Sequence, residues 1–124
     1  MAKILIVDDS SLARRSTRKI LEAAGHEVIE ADDGLRALEQ FYLEKPRAVL
    51  LDVTMKGMDG IEVLTRIREL DPEAKVVIVT ADVQTSTRDM AELGGACGFV
   101  VKPVLSEQLL RAVSAAVERK VPCN

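Results

Sequence analysis

Residues 4–9 read Ile4-Leu5-Ile6-Val7-Asp8-Asp9, a run of four apolar residues that ends abruptly in two acids. A short, continuous and largely β-branched run of this kind is typical of a strand that is buried on both faces. Such strands occur in parallel sheets whose two faces are covered by helices. The stretch therefore predicts an α/β protein in which polar side chains follow the end of a buried strand.

Four more apolar runs occur along the chain, and an amphipathic segment follows each of them. These runs are Val28–Ile29, Ala48–Leu51, Val76–Val79 and Phe99–Val101. Strands that alternate with helices pair in parallel through right-handed crossovers. The pattern predicts a single α/β domain over residues 1–124 with five strands and five helices. Its core should extend from about residue 3 to about residue 119, followed by a short frayed tail.

Apolar spacing predicts which helix faces turn inward. The first helix should begin near Ser10 or Ser11 and stop at Gly25. Its inward residues are predicted to be Leu12, Ser16, Ile20, Leu21 and Ala24. The second helix ends before Pro46 and carries Leu35, Leu38 and Tyr42.

The third helix should open at Asp59 and end at Asp71–Pro72. The fifth should take Ser106 as its N-cap. Its predicted buried residues are Leu109 or Leu110, Val113 and Val117. The fourth helix, roughly Gln84 to Leu93, has so few apolar residues that we expect it to be the least firmly held.

Polar side chains follow four of the predicted strands. They are Asp8 and Asp9, then Asp52, Thr80 and Lys102. Parallel α/β sheets place their sites at these carboxyl ends. Three carboxylates about 4 Å apart would repel by roughly 4 kcal/mol per pair at an effective dielectric constant near 20. A hard divalent cation such as Mg²⁺ relieves that repulsion and can assist phosphoryl transfer.

The roles of these side chains follow from their chemistry. Asp52 stands alone after its strand, so it is the best candidate for a nucleophile, while Asp8 and Asp9 form a metal-binding pair. Lys102 can neutralise an anionic phosphoryl group as a point charge. Thr80 can donate a hydrogen bond to a phosphoryl oxygen.

In this order, the residues resemble the receiver domain of two-component response regulators, and most of all its stand-alone chemotaxis-type members. The matching segments are Ile4-Leu5-Ile6-Val7-Asp8-Asp9, Leu50-Leu51-Asp52, Met58-Asp59-Gly60, Val79-Thr80-Ala81 and Val101-Lys102-Pro103. The resemblance covers about residues 3–119. It implies a flavodoxin-like, doubly wound sheet with strand order 2-1-3-4-5, an order taken from the family and not from the sequence pattern.

The resemblance also implies residue roles. Asp52 would be the phospho-acceptor, with Mg²⁺ or Mn²⁺ held by Asp8, Asp9, Asp52 and the backbone carbonyl of Thr54. Thr80 and Phe99 would form the conformational switch, and Lys102 would bind the phosphoryl group. Thr54 and Asp82 match positions that tune reaction rates in the family. The Lys102–Pro103 peptide bond would be cis.

Partners follow from the same resemblance. A sensor histidine kinase would donate the phosphoryl group, and a downstream protein would bind the face formed by helix four, strand five and helix five. Two positions depart from the family pattern: Lys56 replaces the usual proline, and Phe99 lacks the hydroxyl of a tyrosine. The protein would act as a signalling phospho-acceptor in chemotaxis or a related pathway, and not as an enzyme.

Composition excludes several other classes. The net charge of −3 argues against direct nucleic-acid binding, and the basic cluster Arg14, Arg15, Arg18 and Lys19 is interpreted as a solvated helix face. No signal peptide and no apolar stretch of about 20 residues is present, so a cytoplasmic protein without membrane contact is expected. Cys97 is predicted to be a reduced core residue.

Alternative functions remain. A haloacid-dehalogenase-like phosphatase also uses an aspartyl nucleophile, but it needs a second Asp two residues later, where this chain has Thr54. An unphosphorylated pseudo-receiver typically lacks one of the acids or the lysine. A phosphorelay intermediate would carry the same residues, so the sequence leaves the pathway and the cognate kinase open.

Overall fold

The computed structural model describes residues 2–53, 60–81, 89 and 91–119. The strands are β1 (Lys3–Val7), β2 (Glu27–Ala31), β3 (Ala48–Leu51), β4 (Val76–Thr80) and β5 (Gly98–Val101). The helices with defined bounds are α1 (Ser11–Ala23), α2 (Gly34–Glu44), α3 (Gly60–Leu70) and α5 (Ser106–Glu118). Of helix α4, residues 89 and 91–93 are described.

The five strands form one parallel sheet in the order β2-β1-β3-β4-β5. This confirms the predicted fold class and strand order. Val7 pairs with Leu51, so β1 and β3 end side by side. Thr80 pairs with Val101, so β4 and β5 also end together. The residues that follow these strands therefore lie at one edge of the sheet.

Both faces of the sheet are covered by helices. Leu5 and Val7 point into a core shared with α2 and α3, whereas Ile4 and Ile6 point into a core shared with α1 and α5. Since alternate residues of a strand face opposite sides, a strand buried on both faces must be apolar throughout. This explains the unbroken apolar runs. Packing on both faces also holds the ends of the strands in place.

The predicted inward face of α1 is wrong in part. Leu12 is 70% exposed, and Ser16 and Ala24 are also exposed. The buried residues are Thr17 and Leu21, one helical turn apart. A polar threonine therefore occupies a buried position, and hydrophobic spacing alone could not assign it.

Helix α2 is also rotated relative to the apolar pattern. Leu35 and Tyr42 are about 70% exposed, whereas Gly34, Ala37 and Phe41 are buried. Ala37 and Phe41 pack into the core that α2 shares with α3, so α2 contributes one small and one large buried side chain to it.

The start of α5 and part of its buried face differ from prediction. Ser106 is the first residue of α5, and its N-cap is Leu105, which makes no side-chain capping bond. Leu109 and Val113 are buried as predicted, but Ala116 is buried in place of Val117, which is only partly buried. The predicted start of α3 at Asp59 lies outside the described residues and stays a prediction.

No described helix is both long enough and apolar enough to cross a lipid bilayer.

Candidate functional site

Three carboxylates meet at the carboxyl edge of the sheet. Asp8 and Asp9 follow β1, and Asp52 follows β3. One carboxylate oxygen from each lies within 4.8 Å of the others. Asp8 and Asp52 are buried, at 6% and 4% exposure, whereas Asp9 is exposed. The structure thus brings together the three acids that the sequence predicts to converge, which form an acid cluster compatible with a metal site.

Backbone pairing places the two buried acids side by side. The backbone amide of Asp52 donates a hydrogen bond to the carbonyl of Val7 at 3.0 Å, which continues the ladder between β1 and β3. The carboxylate of Asp8 accepts a hydrogen bond from the backbone amide of Ser10 at 2.9 Å. Ser10 in turn caps α1, because its hydroxyl accepts from the amide of Ala13 at 3.1 Å. The start of α1 and the orientation of Asp8 are therefore coupled.

Lys102 reaches into the acid cluster from the end of β5. Its Nζ donates to Oδ2 of Asp8 at 2.7 Å and to Oδ2 of Asp52 at 3.0 Å. Its backbone amide donates to the carbonyl of Thr80 at 2.8 Å. Burial lowers the pKa of Lys102, but the hydrogen bonds to Asp8 and Asp52 outweigh that effect and raise it overall. The ammonium group is therefore charged at neutral pH.

The two predicted switch residues occupy neighbouring strands. Thr80 is the last residue of β4 and is fully buried. Phe99 lies in β5 opposite Ile78 and is only partly buried. It packs against the core shared with α2 and α3, and it also lines a groove formed by residues of β5 and α5. The Lys102–Pro103 peptide is cis, as the resemblance implies.

The start of α3 lies very close to the backbone of Asp52 and Val53. A Cβ atom at Gly60, the first residue of α3, would lie 2.2 Å from Cα of Val53 and 2.8 Å from the carbonyl oxygen of Asp52. Real Cβ atoms do not tolerate such distances. Glycine at this position therefore lets α3 pack directly under the backbone that carries Asp52.

Sequence reasoning missed the contribution of Arg14. Its guanidinium donates to the backbone carbonyl of Asp8 at 2.6 Å and to Glu30 at 2.9 Å. Arg18 also donates to Glu30. These two arginines bind groups at the edge of the sheet, so the interpretation of the basic cluster as a solvated face is wrong for them. The four-residue spacing of the arginines, together with an acid in the edge strand, was the available signal.

Other predictions fall outside the described residues or are corrected. Thr54, Lys56 and Asp82 lie outside the described residues, so the metal-binding carbonyl of Thr54 and the rate-tuning roles of Thr54 and Asp82 stay predictions. Cys97 is disulfide-bonded in the structure, which corrects the prediction of a reduced core thiol. The positions of the two cysteines along the chain, Cys97 and Cys123, do not by themselves indicate this bond.

Comparison with known proteins identifies the family to which this chain belongs. The family model for the response regulator receiver domain matches residues 4–114. The chain therefore belongs to the response regulator receiver domain family. Within it, the chain is a signalling domain of the CheY type, since it is 39% identical over 119 residues to the chemotaxis protein CheY of Listeria monocytogenes. That match covers 95% of this chain and 100% of the relative.

Solved structures agree with this assignment. A receiver domain protein from Clostridium thermocellum is 30% identical with a TM-score of 0.91, and the match covers 97% of both chains. The CheY of Borrelia burgdorferi, solved in a CheX-CheY-BeF3-Mg complex, is 31% identical with a TM-score of 0.89. That match covers 94% of this chain and 85% of the other.

Proposed function

We propose that this protein is a response regulator that accepts a phosphoryl group from a sensor histidine kinase on Asp52. The observation that carries the proposal is the acid cluster with Lys102 bound to two of its members. Asp8 and Asp52 are buried acids, and both are paired with Lys102. Buried ionisable groups with a specific charge partner are typical of functional sites. The protein would act as a phospho-accepting signal carrier that catalyses its own phosphorylation and dephosphorylation.

The residues of the acid cluster fit a divalent cation. Three carboxylates and one ammonium group carry a formal charge of −2, which a divalent cation would balance. Carboxylate oxygens are the ligands that Mg²⁺ and Mn²⁺ prefer. We propose that Asp8, Asp9 and Asp52 hold the ion together with the backbone carbonyl of Thr54. When bound, the ion supplies charge neutralisation for the phosphoryl oxygens.

The transfer step uses groups of this chain directly. A carboxylate oxygen of Asp52 forms a bond to phosphorus as the N–P bond of the kinase phosphohistidine breaks, and the electron pair of that bond stays on the imidazole nitrogen. Lys102 already lies 3.0 Å from Asp52, so its ammonium group can pair with the incoming phosphoryl oxygens. The hydroxyl of Thr80 would bind another of these oxygens.

The output surface is proposed to be the face of α4, β5 and α5. A groove of about 570 Å³ lies between β5 and α5, and Phe99 and Arg111 are among its lining residues. Because Phe99 is partly buried on this surface, a shift of Thr80 toward a phosphoryl group could change its packing and hence the surface that a partner reads. The Borrelia burgdorferi relative, solved in a complex with CheX, supports signalling by protein contact.

Chemotaxis is the proposed context because the CheY relatives are chemotaxis proteins. A phosphorelay intermediate is the alternative, and it would use the same acid cluster.

Thr54 and Asp82 are proposed to tune the lifetime of the phosphoryl group, so Thr54→Ala or Asp82→Ala should change the rate of dephosphorylation.

Intact-mass spectrometry tests the function. Incubation with Mg²⁺ and a small phosphodonor such as acetyl phosphate should add one phosphoryl group to the wild-type protein. Asp52→Asn should abolish that addition, whereas Asp71→Asn, at an exposed acid beyond the end of α3, should not affect it. Absence of labelling in the wild type, with both kinase and small donors, would support the pseudo-receiver alternative. Full labelling of Asp52→Asn would exclude Asp52 as the acceptor.

A further inference from the structure

We propose that Arg14 is a positioning residue of the acid cluster, which fixes the peptide between Asp8 and Asp9 and is itself held by Glu30. The inference rests on the proposed metal-dependent function and deepens it. It names a residue outside the cluster whose contacts set the orientation of two of the three acids.

The contacts of Arg14 divide between backbone and side chain. Nη1 donates to the carbonyl oxygen of Asp8 at 2.6 Å, and Nε donates to Oε1 of Glu30 at 2.9 Å. The Arg14 side chain is 17% exposed, compared with 40% for Arg18 one turn later. A charged donor on a backbone carbonyl in a partly buried site makes a strong hydrogen bond. Arg14 is therefore well placed to restrain the backbone of Asp8.

Restraint of this carbonyl extends to Asp9 through the peptide plane. The peptide group is planar, so fixing the carbonyl oxygen of Asp8 also fixes the directions of the amide N–H and Cα of Asp9. The amide of Asp8 donates to the carbonyl of Ala31 at 3.2 Å, so the residue is held at both ends. Since the exposed Asp9 side chain is carried by this peptide, its approach to the other carboxylates depends on the Arg14 bond.

Glu30 provides the fixed point for the guanidinium. It lies in β2, paired with Ile6 of β1, so the sheet holds its backbone. Its carboxylate accepts from Arg14 and also from Arg18, and both hydrogen bonds favour its charged form. A rigid acid on one side and a backbone carbonyl on the other leave the Arg14 guanidinium little freedom. Groups that orient ligand-bearing residues in this way tune metal affinity without touching the ion.

Arg18 supplies a matched control. It lies one turn after Arg14 on the same helix and shares Glu30, but its other acceptors are Glu22 and the carbonyl of Val28. Replacing Arg18 therefore removes a hydrogen bond to Glu30 while leaving the bond from Arg14 to Asp8 in place. Both variants lose a hydrogen bond to Glu30, but only replacement of Arg14 removes the bond to the Asp8 carbonyl.

Isothermal titration calorimetry with Mg²⁺ tests the proposal on the folded protein. Arg14→Ala should raise the Kd for Mg²⁺ by about tenfold or more, the usual scale for loss of an orienting partner. Arg18→Ala should leave the Kd near the wild-type value. Melting temperatures measured by circular dichroism without Mg²⁺ give the loss of stability in each variant, so that a loss of Mg²⁺ affinity can be compared with it.

The Kd values of the variants and the wild type test the positioning role and the proposed function separately. If Arg14→Ala binds Mg²⁺ as the wild type does, or if both variants lose affinity equally, the positioning role is wrong while the proposed function stands. If the wild type itself binds no Mg²⁺, the metal-dependent function fails, and the positioning role fails with it. Should Arg14→Ala not fold, Arg14→Lys keeps the charge but cannot donate in two fixed directions. A wild-type Kd for that variant would equally overturn the proposal.

Discussion

Gly60 shows how a single residue supports the acid cluster at a distance. A methyl group there would lie 2.2 Å from Cα of Val53, so the backbone next to Asp52 would have to move. We expect Gly60→Ala to lower the free energy of unfolding by about 1–3 kcal/mol, a usual cost of overpacking, and to slow phosphoryl acceptance. Urea unfolding and intact-mass labelling would measure the two effects.

Gly98→Ala is the matched control for this substitution. A Cβ atom at Gly98 would lie 3.7 Å from the methyl groups of Val77, which is an ordinary contact distance. We expect its free energy of unfolding to stay within about 0.5 kcal/mol of the wild type. Equal losses in the two variants would contradict the special role of the contact between α3 and the backbone of Asp52.

Glu30 links single-residue chemistry to the pH dependence of stability. Partial burial raises its pKa, but hydrogen bonds from Arg18 and Arg14 outweigh burial and lower it below the ordinary value of 4.5. In the unfolded chain Glu30 therefore binds a proton at a higher pH than in the folded protein. Its contribution to stability is present above about pH 4.5 and is lost as the pH falls through the lower folded pKa.

Replacement of the Glu30 carboxylate should weaken the dependence of the free energy of unfolding on pH below about pH 4.5. Glu30→Gln should cost about 1 kcal/mol or less at neutral pH, because the pair is partly exposed, and its stability should fall less steeply on acidification. Glu107→Gln, in an exposed pair with Arg111, should leave the curve unchanged. Urea unfolding at a series of pH values would measure this, and parallel curves for wild type and Glu30→Gln would contradict it.

Helix α2 shows that an apolar side chain is not always a buried one. Phe41 is buried, whereas Leu35 on the same helix is 71% exposed. We expect Phe41→Ala to lower the free energy of unfolding by about 3–5 kcal/mol, because it removes core volume. Leu35→Ala should stay within about 0.5 kcal/mol of the wild type. Denaturant unfolding would measure both, and similar losses would show that α2 packs through the face that the sequence pattern favours.

The strands and their ends could be predicted because burial on both faces forces an unbroken apolar run. Asp8 and Asp52 come directly after two of these runs. Their convergence could therefore be predicted from the parallel pairing of the strands. Helix faces were harder, since Thr17 is a buried polar residue and Leu12 an exposed apolar one. The contact of Arg14 with the carbonyl of Asp8 could not be predicted, because it depends on where α1 crosses the sheet edge.

At the scale of the whole molecule, phosphorylation should act through β5. A switch from about 1:99 to 99:1 requires about 5.5 kcal/mol of preference for the active state, which new charge-assisted bonds to Thr80 and Lys102 could supply. Outside the acid cluster, we expect beryllofluoride with Mg²⁺ to change amide hydrogen exchange most strongly between about Ala81 and Val104. A change confined to α2 and α3 would place the output surface on the other side of the sheet.

Chemical trapping with borohydride can locate the phosphoryl group that we assign to Asp52. Borohydride reduces an aspartyl phosphate to homoserine, which peptide mass spectrometry then locates in the chain. After incubation with Mg²⁺ and acetyl phosphate, we expect homoserine at position 52 and unmodified acids at Asp8 and Asp9. Homoserine at Asp8 or Asp9, or no homoserine in a fully labelled protein, would contradict it.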